Sequence, residues 1–292
     1  VTTPTTRGFT LNATCTFDVA SATTLAIAGN IGNVSGTGVL TKATGTGTLV
    51  LSGTNTYNGG TTVNAGTLRI SGGSAIPDTS LVTLANTAGV IFDVNSSNET
   101  IAALATGGAA GGNVTLGTGT LTLADTSGTN TYSGVISNSG NIIKTGAATQ
   151  VFNGANTYTG STTVNGGILT IGNATATSNS SGVTVNSGGT FNANAINARL
   201  ANVTVNAGGT LQISQTMDTL SATVPTNPIA GTLFINNAAV GSNFDGIQMA
   251  DGSTVQAAFS RDQTVIRVMT EHDFALRHDR AFVRISGVTW AA

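Results

Sequence analysis

The sequence predicts an all-β fold: a parallel β-solenoid closed by a small, charged, β-rich C-terminal cap. Three observations carry this expectation. First, Thr48–Ile70 reads TLVLSGTNTYNGGTTVNAGTLRI and Thr149–Ile171 reads TQVFNGANTYTGSTTVNGGILTI, so Tyr57 falls on Tyr158 and Asn64 on Asn165. A chain that repeats itself is usually built by stacking units, not by folding around one centre. Second, a Val-Asn corner recurs about every twenty residues, at Val164-Asn165, Val185-Asn186 and Val205-Asn206. A rung of that size suits short strands joined by tight corners. Third, charged residues make up only 8% of the 292-residue chain, aromatics 5%, and glycines number 39. Slim polar residues suit corners, and the sustained Val/Ile/Leu alternation argues against disorder.

Within a copy, each element has a local cause. Thr61 and Val63, then Leu68 and Ile70, recur with period two, as in a strand with one apolar face. Asn-Gly and Gly-Gly pairs supply the positive φ of a sharp corner at little steric cost. Stacking would set Asn165, Asn186 and Asn206 one above another, with their amides bonding along the stack. The N-terminal segment alternates Phe9, Leu11, Ala13, Cys15, Phe17 and Val19, so it can cap its own solenoid or lend a strand to another copy.

Charge divides the chain. From Asp245 onward lie eleven of the twenty-two Asp, Glu, Lys and Arg residues, both histidines and the single tryptophan, Trp290. Val224-Pro225-Thr226-Asn227-Pro228 reads as a linker or capping turn. The expected organisation is therefore a solenoid over residues 1–223, a linker or capping turn over 224–244, and a charged β-rich segment over 245–292. Two or three strands are expected in that last segment, near 264–270, 274–277 and 281–288. A polar terminal cap limits end-to-end aggregation of a solenoid.

The repeats resemble the autotransporter-associated β-strand repeat of secreted bacterial passengers. Leu40-Thr41-Lys42 through Leu68 follows that pattern, as does Ile143-Lys144-Thr145-Gly146 through Leu169; Asn130-Thr131-Tyr132-Ser133-Gly134 begins a degenerate copy. The resemblance covers about residues 9–215. It implies a right-handed β-helix, secretion, and repeats without catalysis of their own. A second resemblance lies in the tail. Phe259-Ser260-Arg261-Asp262-Gln263 and the following VIRVMTEHDFALRHDRAFVRISGVTW resemble the last strands of a tailed-phage major capsid protein of the HK97 type. That resemblance implies a virion component.

Chemistry is sparse. His272-Asp273 and His278-Asp279 lack further ligands at metal spacing, so they read as solvated cap residues, and no cofactor is expected. The chain has only twelve acids, and most of those in the solenoid stand alone, which offers no carboxylate pair for glycoside cleavage. Tyr57, Tyr132 and Tyr158 share an Asn-Thr-Tyr-x-Gly context; they read as corner-closing residues, with a sugar-stacking stripe as the alternative. A net charge of −2 gives no field for nucleic acid, and no apolar run is long enough to span a membrane as a helix. The chain starts at Val1, consistent with removal of a leader.

The expected function is therefore non-enzymatic: an extracellular or cell-surface solenoid, layer-forming, fibre-forming or adhesive, with a virion structural protein as the alternative. The expected partner is another copy, and beyond that a cell-surface or virion component. Phe9, Leu11, Cys15, Phe17, Val19, Phe274, Phe282 and Trp290 are the candidate assembly residues. Tyr57, Tyr158, Asn64, Asn165, Asn186 and Asn206 are the candidate corner residues.

Overall fold

The computed structural model describes residues 8–34, 36–177, 179–193 and 203–213, together with the backbone of short strands at Ala198–Arg199, Met217–Thr219, Ala222–Val224, Thr232–Ile235, Ile247–Met249, Thr254–Ala258, Thr264–Ile266 and Phe282–Ile285. The chain is an all-β parallel solenoid of about nine turns, and the described residues contain no helix.

Each turn visits three faces in order. Face one is a twelve-stranded sheet that starts at Cys15–Phe17 and Leu40–Lys42; face two is a six-stranded sheet that starts at Thr24–Ile27 and Thr48–Leu51. Face three is a ten-stranded sheet from Glu99–Ile101 onward. Before it, Phe9–Leu11 pairs in parallel with Ile31–Asn33 on the same side. Pairing remains parallel through Thr232–Ile235 on face one and Ile247–Met249 on face three; Thr254–Ala258, Thr264–Ile266 and Phe282–Ile285 then join antiparallel. The sequence-predicted segment at 274–277 lies outside the described residues.

The core is a set of inward columns. On face three, Val183 stacks on Val203 and Val185 on Val205, all nearly inaccessible. On face one, Leu169, Phe191 and Leu211 share a column. Parallel strands about 4.8 Å apart bring such identical faces into van der Waals contact from rung to rung. Corners are equally tight. Gly66 and Gly167, at matching places in the two long copies, have φ of +67° and +61°, and an added Cβ would lie 2.6 Å and 2.3 Å from a carbonyl oxygen of the previous turn. Only glycine satisfies both demands.

The two long copies are not stacked in equivalent places. Thr48–Leu51 lies on face two, whereas its counterpart Thr149–Phe152 lies on face one. Thr61–Val63 lies on face one and Thr162–Val164 on face three. The second copy is thus rotated by one face around the same axis.

Candidate functional site

Because inward columns are apolar, each inward polar group needs a specific partner. The Asn-Thr-Tyr motif shows how the chain supplies one. In both copies this segment replaces a strand, and the asparagine side chain stands in for a peptide group. Ile31 N donates to Asn55 Oδ1 at 2.7 Å, and Asn55 Nδ2 donates to Ala75 O at 2.6 Å. In the second copy Ile136 N donates to Asn156 Oδ1 at 2.8 Å, and Asn156 Nδ2 donates to Ala176 O at 2.9 Å. Each amide joins three successive turns across a gap in the backbone ladder.

The neighbouring tyrosines are buried, both 1% exposed. Tyr57 Oη lies 2.7 Å from Thr61 Oγ1, which lies 2.9 Å from Ser80 Oγ. Tyr158 Oη lies 2.6 Å from Thr162 Oγ1, which lies 3.3 Å from Ser180 Oγ. Tyr132 is also buried; its hydroxyl donates to Gly112 O at 2.7 Å, and its ring meets Phe152 edge-on. None of the three presents a ring face to solvent, so the sugar-stacking alternative has no surface to act through.

One corner column is polar. Asn186 Nδ2 donates to Asn165 Oδ1 and Asn206 Nδ2 to Asn186 Oδ1, each at 2.6 Å. Asn64 sits in a different column, at a face-one corner, because its copy is rotated relative to that of Asn165.

Charged groups also lie inside. The chain's two lysines, Lys42 and Lys144, pair with the matching valines of the two copies, Val63 and Val164, and are almost wholly buried. Lys42 Nζ donates to the carbonyl of Gly45, and Lys144 Nζ to those of Gly146 and Gly166. Burial lowers both pKa values from the usual 10.5, while Asp18 and Asp125 respectively oppose the shift. Glu99, 1% exposed, accepts from Ile76 N at 2.6 Å and Ala75 N at 3.4 Å. Burial pushes its pKa up to about 7, against the lowering effect of these two N–H donors. The sequence marked the Asn-Thr-Tyr segments of Asn55 and Asn156 by their recurrence, and Lys42 and Lys144 as members of the repeat pattern. Glu99 stands outside both long copies, so no repeat flagged it.

Other polar groups are spent on the fold. Asp93 accepts from Arg69 Nε at 2.7 Å, and also from Asn95 N and Thr115 Oγ1. Asn98 and Asn113, both in Asn-x-Ser/Thr triplets, accept from Thr120 N and Val135 N at 3.0 Å. Among the described residues, no three His, Cys, Asp or Glu side chains come together to hold a metal ion.

Among the described residues, the exposed large hydrophobic side chains are Phe9 and Val34. Phe9–Leu11, Cys15–Phe17 and Thr24–Ile27 are each, among the described residues, the outermost strand of their sheet and are paired on one edge. Phe9 is 40% exposed and meets Phe17 edge-on, with ring centroids 6.4 Å apart. Cys15 and Phe17 are half-buried, while Leu11 and Val19 are buried. Phe274 and Trp290 lie outside the described residues, as does the side chain of Phe282.

Comparison with known proteins agrees with this architecture. Residues 42–70, 114–138 and 142–171 match the passenger-associated-transport-repeat family. The Adhesin BmaC autotransporter of Brucella suis biovar 1 (strain 1330) is 41% identical over 156 residues, which is 52% of this chain and 4% of that protein. This chain therefore matches only a small part of its much longer relative. No solved structure matches. The capsid resemblance of the tail, and with it a virion role, finds no support in these comparisons. No helix among the described residues is long and apolar enough to cross a membrane. The chain is a β-solenoid with three segments that match the passenger-associated-transport-repeat family, and it is similar to part of an autotransporter adhesin.

Proposed function

We propose that this chain is a non-enzymatic, extracellular structural solenoid that serves adhesion at a cell surface. The observation that carries this reading is a three-faced parallel ladder with segments that match passenger-associated transport repeats, in which the buried Asn55 and Asn156 amides bridge successive turns. Such a rod is a scaffold: its stiffness comes from contacts between neighbouring turns, and its long outer faces are free to meet another surface. The similarity to an autotransporter adhesin supports the cell-surface location and the adhesive task.

The test is direct. Fluorescent beads coated with the purified chain should bind epithelial monolayers saturably, above albumin-coated beads, and soluble chain should compete. Binding no greater than that of albumin would remove adhesion from the proposal. Electron micrographs should show slim rods; globular particles would remove the scaffold as well.

Self-association is the finer part of the proposal. Phe9–Leu11 and Cys15–Phe17 pair on one edge among the described residues, with Phe9 exposed beside them, and we infer that the other edge pairs with another copy. Lysines at exposed edge positions Thr10 and Thr16 should abolish any concentration-dependent mass increase in sedimentation. Deleting residues 1–19 separates two mechanisms: loss of association favours strand donation, whereas persistence favours pairing through whichever rung is left at the end.

A further inference from the structure

Face three has a weak seam. Between Ile31–Asn33 and Glu99–Ile101 it contains no strand for two turns, and side chains carry much of the connection. Asn55 provides the first link, to Ile31 N and Ala75 O. Glu99 provides the second, because its carboxylate receives both Ala75 N and Ile76 N. The Asn55 amide is neutral at any pH. The Glu99 carboxyl is not, and it is buried among Ile76, Ile101 and the other inward residues of the core.

We propose that Glu99 makes this seam a pH-responsive latch: protonated, it holds the turn around Ala75 and Ile76 shut; ionised, it favours local opening of that turn while faces one and two stay paired. The physical reason is hydration. A carboxylate accepts two N–H groups well, yet buried charge regains its full hydration only when the turn swings away. Titratable groups facing Glu99 add to this bias. Asp78, in the turn it holds, repels the ionised form. Tyr57, one turn further back, stays neutral because burial raises its pKa. In the following turn Glu99 pairs with Leu121, which brings no charge. Burial holds Glu99 near 7, against the usual carboxylate value of 4.5, so the latch works across mildly acidic to mildly alkaline pH.

The opening is local because the flanking strands keep their ladders. Thr67–Ile70 pairs with both Thr48–Leu51 and Ile91–Asp93, and Leu81–Leu84 pairs with both Thr61–Val63 and Ala103–Thr106. Amide hydrogen exchange, corrected for intrinsic rates, therefore tests the latch. Between pH 5.5 and pH 8, protection of Ala75 and Ile76 should fall about tenfold or more, as expected for a group whose pKa differs by more than a unit between closed and open forms. Leu68 and Val82 should stay protected. Glu99→Gln should keep both amides equally protected at both pH values. A carbon-13 titration of the wild-type Glu99 carboxyl provides a second readout that needs no variant. A midpoint at the ordinary carboxylate value would overturn the latch, as would equal loss of protection at Leu68 and Val82.

Discussion

The side-chain amide of Gln150 hydrogen-bonds both peptide groups of Leu104, two turns away. Leu104 N donates to Gln150 Oε1 at 3.2 Å, and Gln150 Nε2 donates to Leu104 O at 3.0 Å and to Asn130 O at 3.2 Å. The cause is a fault in the ladder: Thr129–Tyr132 meets Ala103–Thr106 only at Thr106 and Tyr132. Leu104 is thereby left without strand partners on that side, and the glutamine one turn beyond fills the gap.

Replacing Gln150 therefore tests the repair. Leu would suit a column that continues as Leu169, Phe191 and Leu211. It would nevertheless strand the N–H and C=O of Leu104 in the core. Each buried orphan costs about 1–3 kcal/mol, so we expect Gln150→Leu to lose about 2–4 kcal/mol in urea denaturation at unchanged m-value. A neutral result would mean that water or a backbone shift satisfies Leu104.

The hydroxyl corners make a paired prediction. Tyr57 and Tyr158 lie in copies rotated by one face, yet each bonds the threonine four residues on. Tyr57→Phe and Tyr158→Phe should each cost about 1 kcal/mol, and by similar amounts. Unequal losses in thermal melts would show that the face, not the motif, sets the energetics.

That rotation marks the boundary of what the sequence reveals. Period-two alternation around Val63 and Val164 and the twenty-residue spacing of Val185 and Val205 made strands, corners and stacking legible, because these are local patterns. Twenty-residue spacing would also place copies 101 residues apart on one face (149 − 48 = 101). They are not, because several turns are longer: Ile91 pairs with Thr67, twenty-four residues back, and Tyr132 with Thr106, twenty-six back. Part of the excess is a loop with a bridge between Gly108 and Gly111. Loop excess of this kind carries no periodic signal. Gln150 and Glu99 were illegible for a related reason: each acts through a partner fixed by inter-turn register, and no single rung encodes it.

The buried lysines carry a pH signature of known sign. Both folded-state pKa values are lowered, chiefly by burial. The unfolded chain therefore binds more protons between the lowered value and 10.5, and stability should rise with pH across that window. The tyrosines act oppositely, since their pKa values are raised, so their contribution is lost only above about pH 10. Measured in the Glu99→Gln background, denaturation midpoints should thus climb as pH rises towards 10.5, and climb less when Lys144→Met is added. The same Met variant should be less stable at pH 7, because Gly146 O loses its donor. A slope unchanged by Lys144→Met would assign the effect elsewhere.

The asparagine column should behave as a chain and not as three independent residues. Asn186 sits in the middle, accepting from Asn206 and donating to Asn165, so its removal breaks two bonds. Asn206→Ala breaks one of them, and Asn165→Ala the other. At this partly exposed corner water replaces lost partners, which limits each bond to about 0.5–1 kcal/mol. Asn186→Ala should therefore cost about as much as the two outer substitutions together. In the double variant Asn186→Ala with Asn206→Ala, the second change should cost almost nothing, since the bond it would break is already gone. A double-mutant cycle by urea denaturation measures this coupling directly. Strict additivity would mean that the amides are neighbours in space without stabilising one another. Coupling larger than the single-bond cost would indicate that the aligned amides polarise along the column, as bonds in series can.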